Sequence, residues 1–159
     1  MEAMLAPFLA ALEGWPVAAA LRGGRWSYAA VNAVHILGIA LLFGAVTPLN
    51  LRLLGLWRRV PREALARVLV PVAATGLALA VAAGLVLFSL RAREYAGIGF
   101  FQAKLLLVAT GIAGALLLHR AHGLVLRDAP DAVLRRHAVV SLVCWTGAIL
   151  CGRLIAFAG

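Results

Sequence analysis

Charge is scarce in this chain: only 13% of its 159 residues are Asp, Glu, Lys or Arg, against about 25% in an ordinary soluble domain. Acidic residues are the scarcest, six in all, and none falls in the long apolar stretches. Cysteine is nearly absent. Cys144 and Cys151 lie seven apart in one apolar stretch, about 10 Å apart on a helix and out of disulfide reach. A disulfide-stapled scaffold is excluded, and there is no CxxC. Methionine is limited to Met1 and Met4, so the chain lacks the Met-rich segments of many copper routes. No P-loop, GxGxxG, HExxH or GxSxG is present. No basic n-region opens the chain, and Glu2 and Glu13 flank its first apolar part, so a cleaved signal peptide is not expected.

What fills the chain instead is apolar: 64% of the residues are hydrophobic. A chain of this length has room for about one domain, and in water that domain could not hide so much Leu, Ala and Val. The composition therefore specifies an integral membrane protein and excludes a soluble enzyme or a disordered chain. The formal net charge of +9 does not signal nucleic acid. Its arginines come in short runs between apolar stretches, and no soluble basic face is left once those stretches are placed in lipid.

A helix needs about 20 mostly apolar residues to cross the hydrocarbon core. Four stretches qualify: about 26–47, continuing past Pro48 as an emerging helix; about 68–90; about 99–118; and about 138–157. The fold class is thus all-α, a four-span bundle forming one membrane domain. Residues 2–22 are interrupted by Glu13 and Gly14-Trp15-Pro16 and are expected to form one or two interfacial helices, with Trp15 and Trp26 at the headgroup boundary. The first connecting loop carries Arg52, Arg58, Arg59, Arg62 and Arg67, and the third carries Arg120, Arg127, Arg135 and Arg136. Arg22, Arg25, Arg91 and Arg93 lie on the opposite side, a bias of nine against four. The positive-inside rule then places both termini outside and the Arg-rich loops in the cytoplasm. Gly76/Gly84, Gly111/Gly114/Ala115 and Gly147/Gly152 put small residues inside spans, where they permit close helix packing and would permit a homodimer.

An ionisable side chain inside lipid costs roughly 3 kcal/mol or more. Three such groups stand inside the spans: His35, Lys104 and Arg153. His35 is about 12 Å from the outer start of its helix, Lys104 about 7 Å from its own, and Arg153 within about 8 Å of the outer end of the fourth span. Tyr28 and Asn32 precede His35 by seven and three residues on the same face, and Gln102 is close to Lys104 in depth. A bland account exists for each: Arg153 and Lys104 can snorkel outward, and His35 can bond a neighbouring helix as a neutral imidazole. With no acid in the spans, a cationic group shared by three helices implies a bound anion, such as a carboxylate, a phosphate or a lipid headgroup. The expectation is an outer-half cavity lined by Tyr28, Asn32, His35, Lys104 and Arg153. At the opposite end, His119, His122 and His137 have spacing that would allow a metal or a haem edge to be held, or are simply solvated. His35 and His119 are too far apart in depth to sandwich one haem, which leaves a single axial His.

Two segments resemble a known family. Ala33-Val34-His35-Ile36-Leu37-Gly38-Ile39-Ala40, with Phe43-Gly44 and Pro48-Leu49, resembles the first span of HemJ-type protoporphyrinogen oxidases and is similar to spans of CopD-like copper-resistance membrane proteins. Phe101-Gln102-Ala103-Lys104-Leu105-Leu106-Leu107-Val108 is similar to the HemJ-type third span. The chain also looks like a group of bacterial four-span proteins that close on CGRLIAF, Cys151 to Phe157. The resemblance implies a bacterial inner-membrane bundle that binds haem b. His35 would be the axial ligand of the haem iron, and Lys104 and Arg153 would face propionates, or one of them would be a second ligand. Where HemJ-type third spans usually carry a further His, this chain has Ala115, with His119 one turn beyond. The implied role is electron transfer or an oxidoreductase reaction with a membrane redox partner. Two other classes stay open on the residues alone. One is a copper or small-anion carrier without catalysis, using His35 with Cys144 or Cys151. The other is a structural subunit whose polar residues bond a partner's helix.

Overall fold

The computed structural model describes residues 2–157, with side chains from residue 6 onward. Seven α-helices follow one another: α1 (Glu2–Glu13), α2 (Pro16–Gly23), α3 (Arg25–Leu53), α4 (Arg62–Phe88), α5 (Ala92–Gly97), α6 (Gly99–His122) and α7 (Asp131–Leu154). A 3-10 turn over Ile155–Phe157 follows α7, and no strand occurs among the described residues. The protein is all-α, and α3, α4, α6 and α7 with its closing turn are long and apolar enough to cross a bilayer.

Each long helix outlasts the apolar window that announces it. The 29 residues of α3 extend about 44 Å, against a hydrocarbon core of about 30 Å, so its ends stand in the headgroup layer. There, backbone groups can still be satisfied in helix and side chains can be charged. This is why α4 starts at Arg62 and α7 at Asp131, a turn or two before the apolar runs. Pro48 lies inside α3 and Pro71 inside α4 without ending either helix. Both sit toward the arginine-rich end, where a lost ladder bond is tolerable. The hydroxyls of Thr75 and Thr110 donate to the carbonyls of Pro71 (3.0 Å) and Leu106 (2.8 Å) four residues back. They thereby satisfy themselves within their own helices, as lipid requires.

The helices form two hairpins, α3 with α4 and α6 with α7, which meet through α3 against α7. Small residues set the first hairpin. A Cβ on Gly38 would stand 2.5 Å from the Ala80 nitrogen and 2.8 Å from the Gly76 carbonyl, so the two backbones touch directly. In the second hairpin, Gly111 faces the Trp145 ring and Gly147 faces Leu107. Buried positions are mostly Ala, Gly and small polar residues, whereas Val34, Ile36, Leu37, Leu106, Leu117 and Val143 lie exposed. In water this would be an aggregating surface; against acyl chains it is the solvent-matched one.

At the end opposite the termini, Leu53, Leu118, Leu126, Ala129, Leu134 and Ala138 form an apolar plug that joins the hairpins. Just inside it, the Asn50 amide donates to the Ser141 hydroxyl at 2.9 Å, with both side chains buried. Arg62 clasps the two loops there, donating to Asp131 at 2.9 Å and to the Arg127 carbonyl at 2.8 Å. At the terminal end, α1 packs on α5, and α2 packs on α1 and against the ends of α3 and α4. Glu13 accepts from the Arg93 backbone N–H (2.9 Å) and pairs with its guanidinium (3.7 Å), while Arg22 donates to the Glu13 carbonyl (2.7 Å). Ala18 and Ala92 are fully buried in this layer. The segment expected to be interfacial is therefore two helices fastened over one end of the bundle.

Candidate functional site

His35 sits on α3 three residues before Gly38, on the face turned to α4. Its Nδ1–H donates to the Ala80 carbonyl at 2.7 Å. A helical carbonyl is normally screened by the side chain of the next turn; here that residue is Gly84, and a Cβ on it would stand 3.0 Å from the His35 Cε1 and 3.4 Å from Nδ1. The missing side chain is the notch that admits the ring. Because a carbonyl only accepts, Nδ1 carries the proton, and in the neutral ring Nε2 is the unprotonated nitrogen.

Lys104 approaches from the other hairpin. It is half-buried on α6, and a Cβ on Gly152 of α7 would lie 3.7 Å from each of its Cδ, Cε and Nζ. A second glycine thus makes room for the stem. The ammonium stands in the same terminal half of the bundle as His35, within electrostatic range of the ring and not bonded to it. No side-chain carboxylate is paired with either among the described residues.

Arg153 does not join them. It is exposed and places its guanidinium over the Phe157 ring, 5.1 Å from the centroid. One residue past Gly152 on α7, it faces away from Lys104 and not into a cavity shared with His35. Gln102 is also accounted for elsewhere, donating to the Ala96 carbonyl at the end of α5 (2.9 Å). Asn32 is half-buried one turn above His35, and Tyr28, a further turn up, is 45% exposed.

Aromatic side chains that the sequence did not single out gather above the pair. Phe88 at the end of α4 stacks on Phe101 of α6, with centroids 5.0 Å apart and planes 6° from parallel. Tyr95 of α5 lies 6.0 Å from Phe101. Burial pushes the Tyr95 phenol above its ordinary range, and Tyr28 beside it acts in the same direction. These rings connect three helices at the end where α1 and α2 are fastened. In the sequence the only hint was their shared nearness to span ends.

The histidines at the far end do different work. His119 Nδ1–H donates to the Gly123 carbonyl at 3.2 Å, closing the last turn of α6. His137 is half-buried against Gly114, within electrostatic reach of His119. His122 is half-buried. Among the described residues no three of His, Cys, Asp and Glu come together as a metal-holding group, whether around His119, His122 and His137 or around His35 and the two cysteines. Cys144 is buried and Cys151 half-buried on α7. Compared with family models, with curated proteins and with solved structures, this chain finds no match.

Proposed function

We propose that this chain is a membrane-embedded b-type haem-binding protein with an electron-transfer or oxidoreductase role of the HemJ-like kind. The observation that carries the reading is the seating of His35. An imidazole whose Nδ1–H is tied to a backbone carbonyl keeps Nε2 for a metal, and such an outer bond fixes the tautomer and orientation of a ligating ring. In this protein the Gly84 notch and the Ala80 carbonyl make that arrangement. Bundle interiors are an established place for such cofactors.

Bound haem would supply one-electron iron chemistry, with a potential set by its axial ligand and surroundings. The chain's own residues do the rest. His35 would hold the iron through Nε2. Lys104, unpaired by any carboxylate among the described residues, would pair with a propionate or serve as a second ligand. Tyr28, Tyr95, Phe88 and Phe101 limit the access of water from the terminal end. Arg153 has no part in this reading, since it faces outward. The arginine bias supports an orientation with both termini outside, and the resemblance to bacterial four-span proteins supports an inner-membrane location.

Detergent-purified protein from haem-sufficient cells is expected to show a Soret band and equimolar iron. His35→Ala removes the band, and Gly84→Ala, which pushes the ring out of its notch, weakens or shifts it. Lys104→Met leaves the pigment bound but changes its spectrum or retention. A colourless wild-type protein overturns the reading, and copper without pigment would establish the carrier class instead.

A further inference from the structure

The largest concentration of charge lies at the opposite end from His35, in a cavity of about 420 Å³ between the two connecting loops. Arg52, Arg58, Arg62 and Arg135 line it, together with Glu63 and Asp131. Both carboxylates are taken by one arginine: Arg62 bonds Asp131 at 2.9 Å and Glu63 at 3.4 Å. Arg52 donates to the Val60 carbonyl (2.6 Å) and Arg58 to that of Gly55 (3.3 Å), bonds that hold the turn without neutralising either guanidinium. Arg135 has no ion-pair partner among the described residues. Four guanidiniums against two carboxylates thus leave the concavity with a net charge of +2.

The backbone adds to this. α4 and α7 both begin at the cavity, and their N-cap positions, Pro61 and Pro130, offer no side-chain cap. The positive ends of two helix dipoles therefore point toward the same place. On the other flank of the same turn, Pro48, Trp57, Ala64, Leu65, Val68 and Leu69 line an apolar groove of about 450 Å³. Trp57 is held there at a left-handed φ of 48°, a conformation uncommon for a bulky residue. A basic recess at headgroup depth beside an apolar trough matches a molecule with a phosphate at one end and acyl chains at the other.

We propose that this cavity binds the phosphate of an anionic phospholipid headgroup, with Arg58 and Arg135 as its main contacts and Arg52 holding the turn that presents them. The proposal does not depend on the haem reading, because it concerns the other end of the bundle.

Native mass spectrometry of the full chain in neutral detergent, titrated with phosphatidylglycerol, tests it. The wild-type chain is expected to retain one lipid. Each headgroup-facing arginine contributes about fivefold, so Arg58→Gln with Arg135→Gln weakens retention by roughly twentyfold. The matched control, Arg59→Gln with Arg136→Gln, removes the same charge beside the cavity and changes retention less than twofold. Equal losses in the two pairs, or no retained lipid in the wild type, overturn the proposal. A parallel titration with inorganic phosphate separates the two sources of the anion. Failure of free phosphate to displace the lipid supports the phospholipid. Tight binding of free phosphate that is lost in the Arg58/Arg135 pair assigns the cavity to a soluble ligand and overturns the lipid assignment.

Discussion

A single missing methyl group has three different meanings in this protein, depending on what stands opposite. At Gly38 the space is taken by backbone, the Ala80 nitrogen and the Gly76 carbonyl, neither of which can move without separating α3 from α4. At Gly84 it is taken by the ring of His35, which can rotate away. At Gly44 nothing lies within 4 Å. Alanine substitutions should therefore rank clearly in unfolding from mixed micelles. Gly38→Ala costs the most, about 3 kcal/mol or more, because overpacking against backbone is not relieved by a rotamer change. Gly84→Ala costs about 1–2 kcal/mol, mostly the His35 hydrogen bond and the displaced ring. Gly44→Ala is neutral or stabilising by about 0.5–1 kcal/mol, as in any open helical position. Equal effects at Gly38 and Gly44 would show that the hairpin is not as closely packed as described.

Among the elements, α5 shows how a short helix is held by its neighbours. Six residues are too few to be helical alone. The segment is fixed by Glu13 on one side, by Gln102 on the other, and by Tyr95 against Phe101. The chain has two tyrosines, so the raised Tyr95 phenol can be followed directly in an alkaline titration of phenolate absorbance. A late step is expected that Tyr95→Phe removes. The sign of its stability effect follows from the direction of the shift. The folded pKa is above the unfolded one, so the contribution is complete below the ordinary phenol pKa of 10.0 and is lost as pH rises through the folded value. The helical circular dichroism and thermal stability of the wild type should fall over that window more than those of Tyr95→Phe. This element was not legible in the sequence, because Ala92–Gly97 has neither the length nor the apolar period of a helix. The four spans were legible, since each has the apolar length that lipid demands. Their exact ends were not, because a helix continues through the headgroup layer where hydropathy no longer marks it.

For the whole molecule, the critical joint is between hairpins. α3 packs along α4 and α6 along α7, but the halves meet mainly through α3 and α7. The apolar plug around Leu126 and Leu134 and the Asn50–Ser141 bond hold that joint. Hydrophobicity drives helices together weakly inside lipid, so a buried polar pair matters more to the choice of partner than its modest energy implies. Ser141→Ala leaves the Asn50 amide without its acceptor and should cost about 1–2 kcal/mol in the same unfolding assay. Asn50→Leu with Ser141→Ala should recover part of the loss, since two apolar groups leave nothing unsatisfied. A double variant no more stable than Ser141→Ala alone would mean that the pair is not the joint.

Composition and the lengths of the apolar runs decided that this chain belongs in a membrane, how many stretches can cross it, and which residues in them are chemically out of place, because lipid penalises every polar group and every short apolar run. They named His35 and Lys104 on that ground, and named Arg153 equally. Only the tertiary structure separated them. Depth follows from counting along each helix, but azimuth follows from which small residues let two backbones close, and that is a property of pairs of helices. Gly84 and Gly152 each admit one side chain inward, while Arg153, one residue farther along α7, is rotated out onto Phe157.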